Sequence, residues 1–274
     1  MTLRERLVLI GHPVSQSLSP VMHNAALEAK GSSLRYETID VLPEDLDATL
    51  ASLSRTRCGG NLTVPHKKAA MHSMRVISDL AHKVGAVNTF WGDGYGALDA
   101  DNTDVAGFEG AVRDLVGEIP SNVRVAVLGA GGSAAAVLTA LDNWPGVTAS
   151  VHARDLARAM SMRMRHNVVV RACSMRDPCV SDADIVVNAT PIGMGTDEIP
   201  VEIDLIRPGA AVLDLVYGSR ETAFVRSARD AGHRAADGLR MLLHQGAHAY
   251  TRWFQEEPDT AVMWNALMSA TGRS

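Results

Sequence analysis

Short apolar runs recur along the chain, each followed by a longer stretch in which Ala, Leu and Met are mixed with polar residues. RLVLIG at 6–11, VRVAVLGA at 123–130, DIVVNAT at 184–190 and AAVLDLVY at 210–217 read as buried strands, with helical segments between them. Strands alternating with helices predict an α/β architecture with parallel pairing. The clearest break lies in VGEIPSNVRV, residues 116–125, where Gly117, Pro120, Ser121 and Asn122 precede a fresh strand. A second module therefore begins near this point, and a length of 274 residues accommodates two domains.

Composition narrows the functional classes. With 46% hydrophobic and 21% charged residues the chain can bury a substantial core. A net charge of -5 speaks against a nucleic-acid partner, since such domains carry a basic face. Cys58, Cys173 and Cys179 are odd in number and lack CxxC spacing, a pattern for a reduced compartment without a metal site or disulfide framework. The initial apolar run LVLI stops at Gly11 and Pro13, too short for a signal peptide, and no run approaches the roughly 18 apolar residues of a membrane span. The cytoplasm is the expected location, with no membrane partner.

The strand at 123–128 runs into GAGGSAAAV and an Ala-rich helix. Gly129, Gly131 and Ala134 match GxGxxA in the strand–turn–helix setting that dinucleotide binding requires: a turn, a close backbone approach to pyrophosphate, and a small packing position. Ala130, Gly132 and Ser133 complete the loop. The next strand, VTASVHARD, ends on Arg154 with Arg158 one turn further, where an NAD enzyme usually places an acid. Two guanidiniums fit a 2'-phosphate and favour NADP. Asp155 either opposes that phosphate or caps the following helix.

A ketone reductase using such a cofactor also needs a proton donor. NLTVPHKKA, residues 61–69, places Lys67 just after Pro65, at what reads as a strand-to-helix corner. Spacing alone equally allows Lys67 and Lys68 to be an exposed pair. Upstream, Ser19 reads as an N-cap with Pro20 at the first helical position and Gly31 as the stop, so Ser17 and Ser19 either cap a helix or hold a carboxylate at its start. Two metal patterns fail. The loop at Asp99, Asp101 and Thr103 has Gly110 where a calcium loop needs glutamate, and His244 and His248 have Gln245 where HExxH needs its base.

These pieces, in this order, resemble the shikimate dehydrogenase family from end to end: GHPVSQSLSPVMHNAAL, NLTVPHK, GAVNTF, DNTDVAGF, GAGGSAAA, VNATPIGM, DLVY and GLRMLLHQGAHAY. The resemblance implies an N-terminal α/β substrate domain, residues 1–104, an NADP-binding Rossmann domain, 105–237, and C-terminal helices, 238–274, that return to the substrate domain. It implies reversible reduction of 3-dehydroshikimate to shikimate in aromatic amino-acid biosynthesis, with Lys67 and Asp104 catalytic. Ser17, Ser19, Asn61, Thr63, Asn88, Tyr217 and Gln245 fall on substrate-binding positions. Gly129 to Ala134, Arg154, Arg158, Asn188, Thr190, Met194 and Gly238 fall on cofactor positions. The partner is a small-molecule substrate, and a second copy of the chain is a candidate for a homodimer.

Three positions depart from the family pattern: Gln16 in place of histidine, Ala153-Arg154-Asp155 in place of an NRT-like turn, and Ser219 in place of proline. Alternatives are a quinate or aminoshikimate dehydrogenase using NAD, and, in another class, a non-catalytic sensor of dinucleotide and shikimate-like ligands. Retention of Lys67, Asp104, Asn61 and Asn88 together speaks against the sensor, because a binder needs no positioned proton donor.

Overall fold

The computed structural model describes residues 4–175 and 180–273, so Cys179 lies outside the described residues. Two compact units emerge, one from residues 1–103 with 242–274 and one from 104–241. The expected divisions after 104 and 237 thus stand against divisions after 103 and 241. Asp104 opens a helix of the second unit, and the long helix that begins at Leu239 carries the chain back into the first.

The first unit comprises β1 (Arg6–Gly11), α1 (Ser19–Ala29), β2 (Tyr36–Asp40), α2 (Leu46–Leu53), β3 (Cys58–Leu62), β4 (Val76–Ile77), α3 (Asp79–Val84), β5 (Thr89–Gly92) and β6 (Leu98–Asp101). Its sheet runs β2-β1-β3-β5-β6-β4. The pairing is mixed rather than wholly parallel, because β5 runs antiparallel to both β3 and β6. Only DGYGA separates β5 from β6, too short for a crossover helix, and Gly94 and Gly96 take positive φ to close the hairpin instead. One core cluster beneath the sheet joins Val8, Ile10, Leu50, Leu62, Val87 and Phe90, all at most 1% exposed.

The second unit comprises α4 (Asp104–Val116), β7 (Arg124–Leu128), α5 (Gly132–Leu141), β8 (Thr148–Ala153), α6 (Leu156–Arg163), β9 (Val169–Ser174), β10 (Ile185–Asn188), β11 (Ala211–Asp214), α7 (Ala223–Asp230) and β12 (Ala235–Ala236). All its pairings are parallel, in the order β12-β11-β10-β7-β8-β9. The chain winds outward in one direction from β7 to β9 and in the other from β10 to β12. The switch between β7 and β10 opens a crevice beyond the strands' carboxyl ends, the usual place for a dinucleotide.

The chain ends in α8 (Leu239–Phe254) and α9 (Thr260–Thr271). α9 packs along α1, which places the final helix on the first unit. Trp253, fully buried, donates its indole N–H to the Phe90 carbonyl at 3.2 Å, and Arg4 donates to the Trp253 carbonyl at 3.0 Å. Arg252 pairs with buried Asp101 at 2.5 Å, which fixes α8 to the end of β6.

Candidate active site

In the first unit the candidate substrate residues cluster at the ends of β1, β3 and β5. β3 ends at Leu62, and the chain then turns through residues 63–68 before a 3₁₀ helix at Ala69–Ser73. Pro65 therefore does not open a helix; Lys67 sits in an irregular turn ahead of one. A proline lacks the N–H that regular pairing needs, so tertiary hydrogen bonds fix this turn instead. Thr63 donates its N–H to Ile10 and accepts from His66, His12 donates to the Val64 carbonyl, and Val87 donates to the Lys67 carbonyl at 2.9 Å. The buried His66 ring bonds the Val41 carbonyl at 2.7 Å. Lys67 is half-buried, its backbone tied to the residue before Asn88.

Buried carboxamides lie beside this turn. Asn61 donates its Nδ2–H to the Asn88 carbonyl at 3.0 Å and accepts the Tyr36 hydroxyl on Oδ1 at 2.7 Å. Asn88 accepts the Thr103 N–H at 2.7 Å and its hydroxyl at 3.2 Å, and directs its amide toward the Gln245 Oε1 at 3.4 Å. Asn61, Asn88 and Gln245 are thus brought together, and Thr103 is held immediately before Asp104 in the chain. Asp104 itself, 6% exposed, opens α4 in the second unit.

At the other serine-bearing corner, α1 starts at Ser19 with Leu18, not Ser19, in the capping position. The Ser17 hydroxyl accepts the Ser19 N–H at 3.2 Å, so one expected ligand serves the helix start locally. His23, one turn on, is fully buried between Tyr36 and Trp253, with ring centroids 4.5 and 5.0 Å away. Neither ring nitrogen has a hydrogen-bond partner among the described residues. Burial drives its pKa down to about 3, so the imidazole is neutral at physiological pH.

In the second unit the glycine turn fits a phosphate. Gly129 has φ of 115°, and a Cβ there would lie 2.8 Å from the Ala189 carbonyl, so only glycine lets the β7 turn pass the loop after β10. Nothing lies within 4 Å of where Gly131 and Gly132 would carry side chains, and Gly131 caps α5, whose free N–H groups follow Ala130. Ser133 is half-buried and Ala134 fully buried against the core. These are the residues that would hold a pyrophosphate, by backbone N–H groups and the positive helix end.

At the end of β8, Arg154 and Arg158 are exposed. Asp155 caps α6, accepting the Ala157 N–H at 2.9 Å, and stands 3.7 Å from the Arg158 guanidinium. Its carboxylate therefore serves the helix, which resolves one of the two expectations for it. On the loop after β10, Asn188 is fully buried; its amide donates to Asp214 at 2.8 Å and to the Ile192 carbonyl at 3.1 Å. Its oxygen accepts from the Thr190 N–H and hydroxyl. Asn188 thus shapes the turn and holds Thr190, while Met194 is 63% exposed.

Sequence patterning missed Asp214, which supports this turn. Burial raises its pKa to about 6, against hydrogen bonds from Thr222, Val216 and Asn188 that lower it. The half-buried Tyr217 lines a cavity of about 160 Å³ with Gly193, Thr196, Ser219 and Arg226. Gly238 donates its N–H to the Val216 carbonyl beside it. Tyr36 was missed too, and only its place in the alternating strand RYETID marked it as inward-facing. His244 is half-buried and His248 exposed on α8.

A parallel sheet with a glycine turn at its switch point, joined to a separate unit lined with carboxamides and a lysine, defines a dinucleotide-dependent oxidoreductase. The chain matches the shikimate dehydrogenase substrate binding domain over residues 9–90 and the shikimate 5'-dehydrogenase C-terminal domain over 238–268. It is 41% identical to shikimate dehydrogenase (NADP(+)) of Moorella thermoacetica, over 98% of this chain and 94% of the relative. The crystal structure of shikimate 5-dehydrogenase from Thermus thermophilus in complex with NADP(H) and shikimate is similar at a TM-score of 0.88 and 37% identity, covering 97% of this chain and 99% of that one. Quinate dehydrogenase from Corynebacterium glutamicum in complex with NAD is similar at 0.88 and 30% identity, covering 97% and 99%. The chain belongs to the shikimate dehydrogenase family.

Proposed function

We propose that this chain catalyses the reversible, NADP-dependent reduction of 3-dehydroshikimate to shikimate. The observation that carries the reading is the cluster of buried Asn61 and Asn88 with half-buried Gln245 beside the Lys67 turn, a set of fixed amides suited to a polyhydroxylated ring. NADPH, when bound, supplies the hydride. Lys67 gives its proton to the oxygen that becomes the alcohol and takes it back in the oxidative direction; Asp104 supplies the carboxylate that works with it. Ser17 and Ser19 bind the substrate carboxylate, Asn61, Thr63, Asn88 and Gln245 its hydroxyls, and Tyr217 a further edge. Gly129 to Ala134 would hold the pyrophosphate and Arg154 and Arg158 the 2'-phosphate; Asn188, Thr190 and Met194 would make further cofactor contacts and Gly238 would lie near the nicotinamide, with Asn188 setting the Thr190 turn. The cytoplasm is its proposed place of work; among the described residues Cys58 and Cys173 form no disulfide, and no helix is long and apolar enough to cross a membrane.

A second reading, quinate oxidation with NAD, draws support from Asp155, which besides capping its helix puts a carboxylate 3.7 Å from the Arg158 guanidinium beside the expected phosphate position. Initial rates for shikimate, quinate and aminoshikimate, each with NADP and NAD, separate the two. Highest kcat/KM for shikimate with NADP, lost in Lys67→Ala and Asp104→Asn, is the expected result. Undiminished turnover in both variants overturns the assignment.

A further inference from the structure

The two asparagines of the cluster are not equally supported. Asn88 is fixed by Thr103, but among the described residues the Asn61 oxygen has one side-chain partner, the Tyr36 hydroxyl at 2.7 Å. The other end of Asn61 faces the Asn88 carbonyl, which can only accept, so that end must be Nδ2. Leu62 fills the same carbonyl from its backbone N–H at 2.9 Å. Tyr36 must then donate to Oδ1, which leaves the second Nδ2–H of Asn61 as its remaining donor. The phenol has little freedom to do otherwise, because it is 2% exposed, stacked on His23 and tilted against Trp253, at centroid distances of 4.5 and 5.8 Å. His23 offers it no charge, being neutral.

We infer that Tyr36 is a positioning residue for substrate specificity: the Asn88 carbonyl sets which end of the Asn61 carboxamide is the amine, and the Tyr36 hydroxyl locks its rotation from the oxygen end, so the remaining N–H is presented and the site recognises a ligand hydroxyl by its lone pair. The inference rests on the proposed substrate reading and extends it to a residue outside the binding set. Without that hydroxyl the buried Asn61 oxygen loses its side-chain partner, and the carboxamide, held then only through the Asn88 carbonyl, no longer keeps its remaining N–H aimed at the ligand.

A double-mutant cycle tests this, using steady-state kinetics with shikimate and NADP on wild type, Tyr36→Phe, Asn61→Ala and the double variant. Tyr36→Phe is expected to raise KM for shikimate about tenfold, the size of one lost oriented hydrogen bond, with a smaller change in kcat and no change in KM for NADP. In the Asn61→Ala background it is expected to add nothing, which a packing role would not produce. Incorporation of 3-fluorotyrosine at position 36, which keeps the donor and the ring, is expected to retain the wild-type KM and provides the reading should Tyr36→Phe fail to fold. An active wild type with the same loss in both backgrounds, or with Tyr36→Phe within twofold of wild type, or with a raised KM in the fluorotyrosine protein, overturns the inference alone. A wild type that does not oxidise shikimate overturns the substrate reading, and this inference with it.

Discussion

The carboxamide oxygen of Asn88 receives both the backbone N–H and the hydroxyl of Thr103, at 2.7 and 3.2 Å, although fifteen residues separate the two. β5 begins at the next residue and α4 begins immediately after Thr103, so a single amide joins the start of a strand to the peptide preceding Asp104. Truncation in Asn88→Ala leaves the Thr103 N–H buried without this acceptor. We expect a loss of about 1–3 kcal/mol in denaturant unfolding, together with a fall in kcat/KM larger than a stability defect alone explains.

Gly129 tests the glycine turn. Alanine at φ of 115° and 2.8 Å from the Ala189 carbonyl is strained in both backbone and contact. Gly129→Ala is expected to destabilise the chain by about 1–3 kcal/mol by urea titration and to raise KM for the dinucleotide while leaving KM for shikimate near wild type.

His23 sets an acid limb on stability. Its folded pKa of about 3 lies below the unfolded value near 6.5, so between these values the unfolded chain binds the extra proton. Stability is therefore full above about pH 6.5 and declines by about 1.4 kcal/mol per pH unit as pH falls toward 3. His23→Phe, which keeps an aromatic ring and removes two buried nitrogens without partners, is expected to flatten that decline. Urea midpoints measured at intervals from pH 7.5 to 4.5 would show it, and an unchanged slope would contradict the assignment.

Asp155 separates helix capping from cofactor choice. Asp155→Ala removes the acceptor for the Ala157 N–H and is expected to cost about 1 kcal/mol of stability by thermal unfolding. It also removes the negative neighbour of Arg158, so the ratio of kcat/KM for NADP over NAD is expected to rise.

Much of this molecule was legible in the sequence because the rules involved act over a few residues. The GAGGSAAA turn, its flanking strand and the Ala-rich helix form one local unit, and the strand order around them follows from short right-handed crossovers. Where local rules competed, the reading slipped: the helix at Ser19 is capped one residue earlier, and the proline at 65 leads into an irregular turn. The mixed sheet followed from a loop too short for a helix, a cue present in DGYGA but weaker than the global alternation.

By itself, then, the sequence determined which backbone segments turn, pair and wind, and which chemical groups the family pattern places on them. Only the tertiary structure decided which buried polar groups satisfy one another: Tyr36 with Asn61, Asn188 with Asp214, Trp253 with the Phe90 carbonyl 163 residues away. The physical reason is that a buried donor requires an acceptor but not any particular one. The folded chain makes that choice through packing that brings distant residues within about 3 Å of each other, a scale on which sequence separation carries no information.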